Sequence, residues 1–384
     1  MNKSTAFESI HLHYSAREQV ARDLHSRGEK VIGYLSNNVP VELIIAAGMF
    51  PVQLTGSPAE STETADHYME DFFDGDIRSI FNRILIGHFE FVDLLIIPRT
   101  SEGMLQLYYF LKEVSRLEPD RRLPEILLFD LLHTAFWRTG RYNLQRVVEL
   151  KRKLEQLASR PITPGDLANA IRLTNRNRAL LSEINGRRRR DPCNLTGSDM
   201  LRIIATSMFM DMRTHTQALE VLLSDREPPP VHVGPRLMIK GSPHDNPGFY
   251  ELVESCGAVV AADDHVWSER LFEHKVREDD DPIEALTEHY HLHSVSPRQY
   301  PQSRQDSRFM ELVSLARVQG VVFYFSEWDD TLGWDYPEQK KLLDRAGIPS
   351  ICMTRQSYRQ PDEPAQQAAV QALVDLLCAA GSTA

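Results

Sequence analysis

Short apolar runs alternate with amphipathic stretches at both ends of the chain, and that rhythm is the first guide to its fold. Residues 31–35, 51–54, 91–97 and 125–131 are strand-like, the third interrupted only by Asp93. Between them, residues 7–28, 40–48, 76–86 and 103–114 carry apolar positions at helical spacing; in the third of these Ile77, Ile80, Phe81 and Ile84 share one face. The rhythm returns after residue 235, where strands at 236–241, 258–264, 321–326 and 348–354 alternate with helices at 248–257, 307–320 and 336–347. Strands separated by helices predict βαβ units and mainly parallel sheets, so the fold class is α/β.

The middle of the chain reads differently. Residues 142–158 are helical and heavily charged, residues 163–186 open on Thr163 and Pro164 as cap and first-turn residue, and a further helix runs from about 197 to 223. The clearest linker is SDREPPPVHVGP, residues 224–235. These divisions predict an N-terminal α/β domain with a leading helix over 1–141, a helical region over 142–225, and a C-terminal α/β domain over 226–384. Gly257, Gly320 and Gly347 each stand between a helix and a strand, where glycine closes a helix in the left-handed conformation. The two α/β halves are candidates for distant structural repeats.

Composition removes several classes of function. A net charge of -11 over 384 residues lacks the basic face that non-specific nucleic-acid binding needs. Cys193, Cys256, Cys352 and Cys378 are far apart, so no local motif builds a zinc or iron–sulfur site and no disulfide framework is expected. Cys256 and Cys352 read as core residues. The first 19 residues have no apolar signal core, and no run approaches 18 apolar residues, so a cytoplasmic protein without a membrane span is expected.

In open parallel sheets ligands gather beyond the carboxyl ends of the strands, so the candidate chemistry lies in the turns there. LIIPRTSEG, residues 95–103, puts Ser101 on such a turn, without a nucleophile-elbow pattern or a recognisable histidine partner. Asn37 and Asn38 occupy an analogous turn. GSPHDNPG, residues 241–248 and including Ser242, offers backbone NH groups and a helix N-terminus to a phosphate or carboxylate. Asp263 and Asp264 end a strand, where they either face a ligand or cap a helix. HYHLH, residues 289–293, would ligate a metal if extended and reads more simply as a surface loop. The run of arginines at 187–190 suits phosphate groups or a solvated face.

Five segments then carry a resemblance: VIGYLSNNVPVELIIAAGMFPVQLTG, DGDIRSIF, VDLLIIPRTSEG, IKGSPHDNPGFYELVESCGAVVAADD and GVVFYFSEWDDTLGWDYPEQKKLLDRAGIPSI. In order and spacing they resemble the family of 2-hydroxyacyl-CoA dehydratase D-components and benzoyl-CoA reductase subunits, over about residues 30 to 360. The resemblance implies two flavodoxin-like domains joined by a helical region, and pairing with a homologous subunit, often as a heterodimer. It also implies an iron–sulfur cluster between the domains, held by three cysteines far apart in sequence. Electrons from an ATP-dependent activator then drive a ketyl-radical elimination of water or the reduction of an aromatic ring.

At the matched positions this chain departs from that pattern. Asp74 stands four residues before Arg78 where the family has its first cysteine, Ser101 stands at the second, and Asp329 at the third. Val266 and Ser296 stand where further cysteines are frequent. Thiolates hold iron–sulfur irons, and these are oxygen donors, so no cluster is expected on this chain. Three readings remain. One is a cluster-free subunit of a complex acting on an acyl-CoA. Another is a repurposed lyase or hydratase using carboxylates or a divalent cation, drawn from Asp74, Glu102, Asp329 and Asp330 with His88 or His265. The last is a binding or regulatory protein. Asp74, Glu102 and Asp329 are the candidate catalytic residues; Asn37, Asn38, Arg78, Ser101, Ser242, Asp264 and Asp330 are candidate substrate contacts. The plain alternative is that Asp74 and Asp329 cap helices or pair with Arg78 and Arg99.

Overall fold

The computed structural model describes residues 3–70, 72–224, 232–278, 281–294 and 299–381. Two four-stranded parallel sheets organise it. The first comprises β1 (Val31–Tyr34), β2 (Phe50–Gln53), β3 (Leu94–Pro98) and β4 (Glu125–Phe129) in the order β2-β1-β3-β4. The second comprises β5 (Arg236–Gly241), β6 (Val259–Asp264), β7 (Gly320–Ser326) and β8 (Ser350–Gln356) in the order β6-β5-β7-β8. Both orders are the flavodoxin-like 2-1-3-4, and in each the chain reverses its direction of travel between the two central strands. The two α/β halves therefore share one topology.

The central strands are buried along their whole length, which is why they read as continuous apolar runs rather than alternating ones. Alternate residues feed different cores. Val31, Leu95 and Ile97 join a cluster that continues through Leu237, Ile239 and Val322 of the second sheet. Ile32, Leu94 and Ile96 face the helices Trp137–Ala158 and Pro164–Arg188 through Val147, Leu150 and Ile171. The second of these helices opens with a reciprocal cap, Thr163 accepting from the Asp166 amide while the Asp166 carboxylate accepts from the Thr163 amide.

Three expectations change. The leading helix is two, Lys3–Ser15 and Gln19–Ser26. The turn between them lets Arg17 reach the backbone carbonyl of Asp245 and lie over the Tyr14 ring, 4.5 Å from its centroid. The helix expected over 197–223 is also two, Gly197–Thr206 and Met212–Ser224, because Asp211 caps the second by accepting from the Thr214 amide at 3.0 Å. Gly257 and Gly347 do close helices with φ of +84° and +69°, but Gly320 does not. Arg317 takes the left-handed turn there (φ +51°), and Gly320 opens β7, where a Cβ would meet Leu237 Cδ2 at 2.9 Å. The helix Glu363–Gly381 packs on the second sheet through Val370, Leu373 and Val374. Residues 225–231 of the proline-rich linker, and Ser296, lie outside the described residues.

Candidate functional site

The turns leaving the four central strands meet around one cavity of about 100 Å³. Ser36 follows β1, Ser101 follows β3, Gly241 ends β5 and Ser326 ends β7. Gly241 has no room for a side chain: its φ is +136°, and a Cβ would lie 2.0 Å from the Tyr324 carbonyl oxygen. Leu54, Ile77, Met104 and Trp267 give the cavity apolar walls, with a few polar groups converging on them. That combination is the usual make-up of a small-molecule site.

Asp74, Ser101 and Asp329 all line this cavity, although they are far apart in sequence. Ser101 and Asp329 stand at equivalent places, each just beyond the third strand of its sheet. Both cap the helix that follows: Ser101 Oγ accepts from the Met104 amide at 3.2 Å, and Asp329 Oδ1 from the Leu332 amide at 3.2 Å. The Ser242 hydroxyl donates to Asp329 Oδ2 at 2.6 Å while accepting from the Ser326 amide, tying the β5 and β7 turns together. Asp74 precedes the helix Gly75–Leu85 but makes no side-chain cap, and its Oδ1 is buried without a hydrogen-bond partner.

Burial, reinforced by Asp76 and then Asp329, pushes the Asp74 carboxyl up to about 8. Burial and then Asp245 push Asp76 up to about 7. Asp329 is also raised, mainly by burial, with the Ser242 hydrogen bond opposing. Close carboxyls in an apolar setting share protons in this way, so near neutral pH the Asp74–Asp76 pair holds both a neutral acid and a carboxylate. Neutral acid beside carboxylate is the pairing that general acid–base catalysis uses.

Other candidate residues lie elsewhere. Glu102 and Asp330 are exposed in the first turns of their helices and do not line the cavity. Arg78 turns away to Asp66 (2.6 Å) and to the Glu70 carbonyl, and Arg99 to Asp130 (3.8 Å), so neither pairs with Asp74 or Asp329. Asp264 is no ligand contact. It is fully buried among Lys240, Arg270 and Arg308 at 2.5 to 2.7 Å, and although burial would raise its carboxyl, these three cations hold it well below the usual range. Asn37 lines a second, smaller cavity of about 70 Å³, and Asn38 is buried with both side-chain polar atoms unpartnered. His88 sits beside Glu18 at 3.7 Å, and His265 bonds the Tyr250 hydroxyl at 2.7 Å. Among the described residues, no three His, Cys, Asp or Glu side chains are grouped to hold a metal ion.

Two motifs differ in kind from the expectation. The arginine run is not a solvated face: Arg188 is completely buried between Asp263 (2.6 Å) and Glu269 (2.9 Å), and Arg187 bonds the Leu222 and Leu223 carbonyls. HYHLH is not a surface loop but a π-helical turn, with His289, Tyr290 and His291 buried.

The structure also adds residues that sequence reasoning missed. Gln53, at the end of β2, is 4% exposed, lines the cavity, and leaves its Oε1 without a partner. Asp76 and Asp245 add carboxyls; Asp245 accepts from the Tyr358 hydroxyl at 2.7 Å. Arg270 lines both cavities, and with Ser36 it stands where they adjoin. A signal existed for Asp76, two residues beyond Asp74 on a helix start, and for Gln53, a polar residue closing an apolar strand. Nothing local singled out Arg270.

An iron–sulfur cluster of the kind the resemblance implies requires thiolates. None of the four cysteines lines the cavity: Cys193 and Cys256 are buried elsewhere, Cys352 is in β8 and Cys378 is exposed on the last helix. Serine and carboxylate oxygens at Asp74, Ser101 and Asp329 do not fit such a cluster.

The family model described as "2-hydroxyglutaryl-CoA dehydratase, D-component" matches residues 36–377. The chain is 22% identical to the (R)-phenyllactyl-CoA dehydratase beta subunit of Clostridium sporogenes, over 94% of this chain and 95% of that one. It is 23% identical to the beta subunit of the (R)-2-hydroxyglutaryl-CoA dehydratase of Acidaminococcus fermentans, over 85% and 87%. It is 26% identical to one of the subunits of the benzoyl-CoA reductase of Thauera aromatica, over 77% of each chain. With a match across nearly its whole length, the chain belongs to the 2-hydroxyglutaryl-CoA dehydratase D-component family.

Proposed function

We propose that this protein is a cluster-free subunit of a complex acting on an acyl-CoA thioester, paired with a homologous subunit. One observation carries the reading: the three positions matched to cluster ligands converge on one cavity as Asp74, Ser101 and Asp329. The crevice carries oxygen side chains at the positions where the resemblance places thiolates. The relatives named above are subunits of acyl-CoA dehydratases or reductases, which supports the substrate class and the pairing. Four free cysteines, and no described helix long and apolar enough to cross a membrane, fit a cytoplasmic setting.

A second reading has its own support. The neutral acid and carboxylate at Asp74 and Asp76 favour a lyase or hydratase that works without electron transfer.

Purification under anaerobic conditions is expected to yield negligible iron and acid-labile sulfide, with a cysteine-bearing homologue recovered from native extract. A stoichiometric cluster on this chain, after reconstitution with iron and sulfide, sinks the first reading. Calorimetry with CoA thioesters tests the substrate class for both.

A further inference from the structure

Arg270 is an unusual wall for a cavity lined by carboxyls. Its side chain is 1% exposed, and its Nε donates to Asp264 at 2.5 Å. Neither Nη atom hydrogen-bonds another described residue. Asp264 also holds Lys240 and Arg308, and Arg308 pairs in turn with Glu273 at 2.6 Å. The same cavity is lined by Asp74, Asp76 and Asp329, and the unpartnered Gln53 Oε1 adds an acceptor. A guanidinium with spare donors, together with the unpartnered acceptors Asp74 Oδ1 and Gln53 Oε1 in the same cavity, suits a ligand carrying both a carbonyl oxygen and a hydroxyl.

We infer that the cavity dehydrates a 3-hydroxyacyl thioester, or hydrates the corresponding 2-enoyl thioester, with Arg270 binding the thioester carbonyl. The inference rests on the second reading above and names its substrate class. The position of the hydroxyl follows from elementary chemistry. Acid–base groups cannot readily expel water from a 2-hydroxyacyl thioester, because the proton to be removed lies on Cβ, which the carbonyl does not acidify. In a 3-hydroxyacyl thioester the proton lies on Cα and is acidified directly.

One carboxylate of the Asp74–Asp76 pair takes the Cα proton, and negative charge develops on the thioester oxygen facing Arg270. The Cα–Cβ double bond forms as the Cβ–O bond breaks. The neutral carboxyl of the pair gives its proton to the departing hydroxide, which leaves as water. No electron enters or leaves. The two carboxyls exchange protonation states and reset through solvent, and Gln53 Oε1 accepts from the substrate hydroxyl.

The full chain is incubated with 3-hydroxybutyryl-CoA, crotonyl-CoA and 2-hydroxybutyryl-CoA, with binding followed by calorimetry and enoyl thioester by its absorbance. Butyryl-CoA, which has no leaving group, reports base action alone through Cα–H exchange in deuterium oxide. The 3-hydroxy ester and crotonyl-CoA are expected to interconvert and the 2-hydroxy ester to remain unchanged. Arg270→Gln is expected to lower the rate and the exchange about 10²–10³-fold, the loss of one oxyanion donor. Asp264 keeps Lys240 and Arg308 in that variant, so the fold has its counter-ions; near-ultraviolet circular dichroism checks it. Should Arg270→Gln fail to fold, Asp74→Asn carries the test with an expected loss of about 10²–10⁴-fold. Turnover of the 2-hydroxy ester, or binding of both esters without turnover or exchange, overturns this inference and leaves action on acyl-CoA standing. Failure to bind any CoA ester overturns both.

Discussion

Arg188→Ala lowers stability by about 3–5 kcal/mol, seen as a lower denaturant midpoint at an unchanged slope. Arg188 ends the helix Pro164–Arg188 and is completely buried. Its guanidinium bridges Asp263 at the end of β6 and Glu269 in the loop beyond, and Tyr250 donates to the same Asp263 carboxylate at 3.0 Å. Removing the cation leaves Asp263 in an apolar interior without a cation, while Glu269 keeps only Arg189, and the uncompensated charge on Asp263 accounts for most of the loss. A triple variant, Arg188→Met with Asp263→Asn and Glu269→Gln, removes all three charges and is expected to lose much less. If the single and triple variants lose equally, the cost is packing and not charge. The consequence reaches the site, because the loop that this bridge seats supplies Val266, Trp267 and Arg270 to the cavity.

The second large effect is a dependence of stability on pH. Asp74 titrates at about 8 and Asp76 at about 7 in the folded protein, both above the value of 3.8 usual for the unfolded chain. The folded state therefore keeps protons that the unfolded state has released. This contribution is fully present below about pH 4, declines as pH rises, and is gone once pH passes through the folded values near 7 and 8. Asp74→Asn cannot ionise, so it escapes part of that decline. It is expected to exceed the parent in stability by on the order of 2 kcal/mol near pH 8.5, with the difference closing as pH falls towards about 4. Denaturation curves across that range check it; parallel profiles for parent and variant would remove the buried carboxyl as the cause.

Much of the architecture could be read from the chain before its folding was known. The continuous apolar runs at β1, β3, β5 and β7 announce strands buried on both faces, and the turns after them are where the cavity forms. The convergence of Asp74, Ser101 and Asp329 was legible only through the family resemblance, since nothing local links three residues so far apart. What stayed hidden depends on partners distant in sequence. Four consecutive arginines look solvated until Asp263 and Glu269, 75 and 81 residues from Arg188, close around it. Asp264 looks like a strand-end ligand until three cations from β5, the loop after β6 and the helix Gln302–Leu315 converge on it. Arg270 is an ordinary surface residue by sequence, and only the packing of that loop turns it inward.

The capping bonds of Ser101 and Asp329 bear on which substitutions these two positions accept. Each side chain now holds the first turn of the helix behind it, and a thiol is a poor substitute for that duty. Placing cysteine at either position would cost about 1 kcal/mol at once, while a three-thiolate site would need cysteine at all three. Asp74 makes no such cap, so the loss falls on any variant changed at Ser101 or Asp329 and not on one changed at Asp74 alone. Ser101 and Asp329 thus have a structural duty of their own, and a cysteine placed at either one must give up a helix cap before any thiolate site is complete.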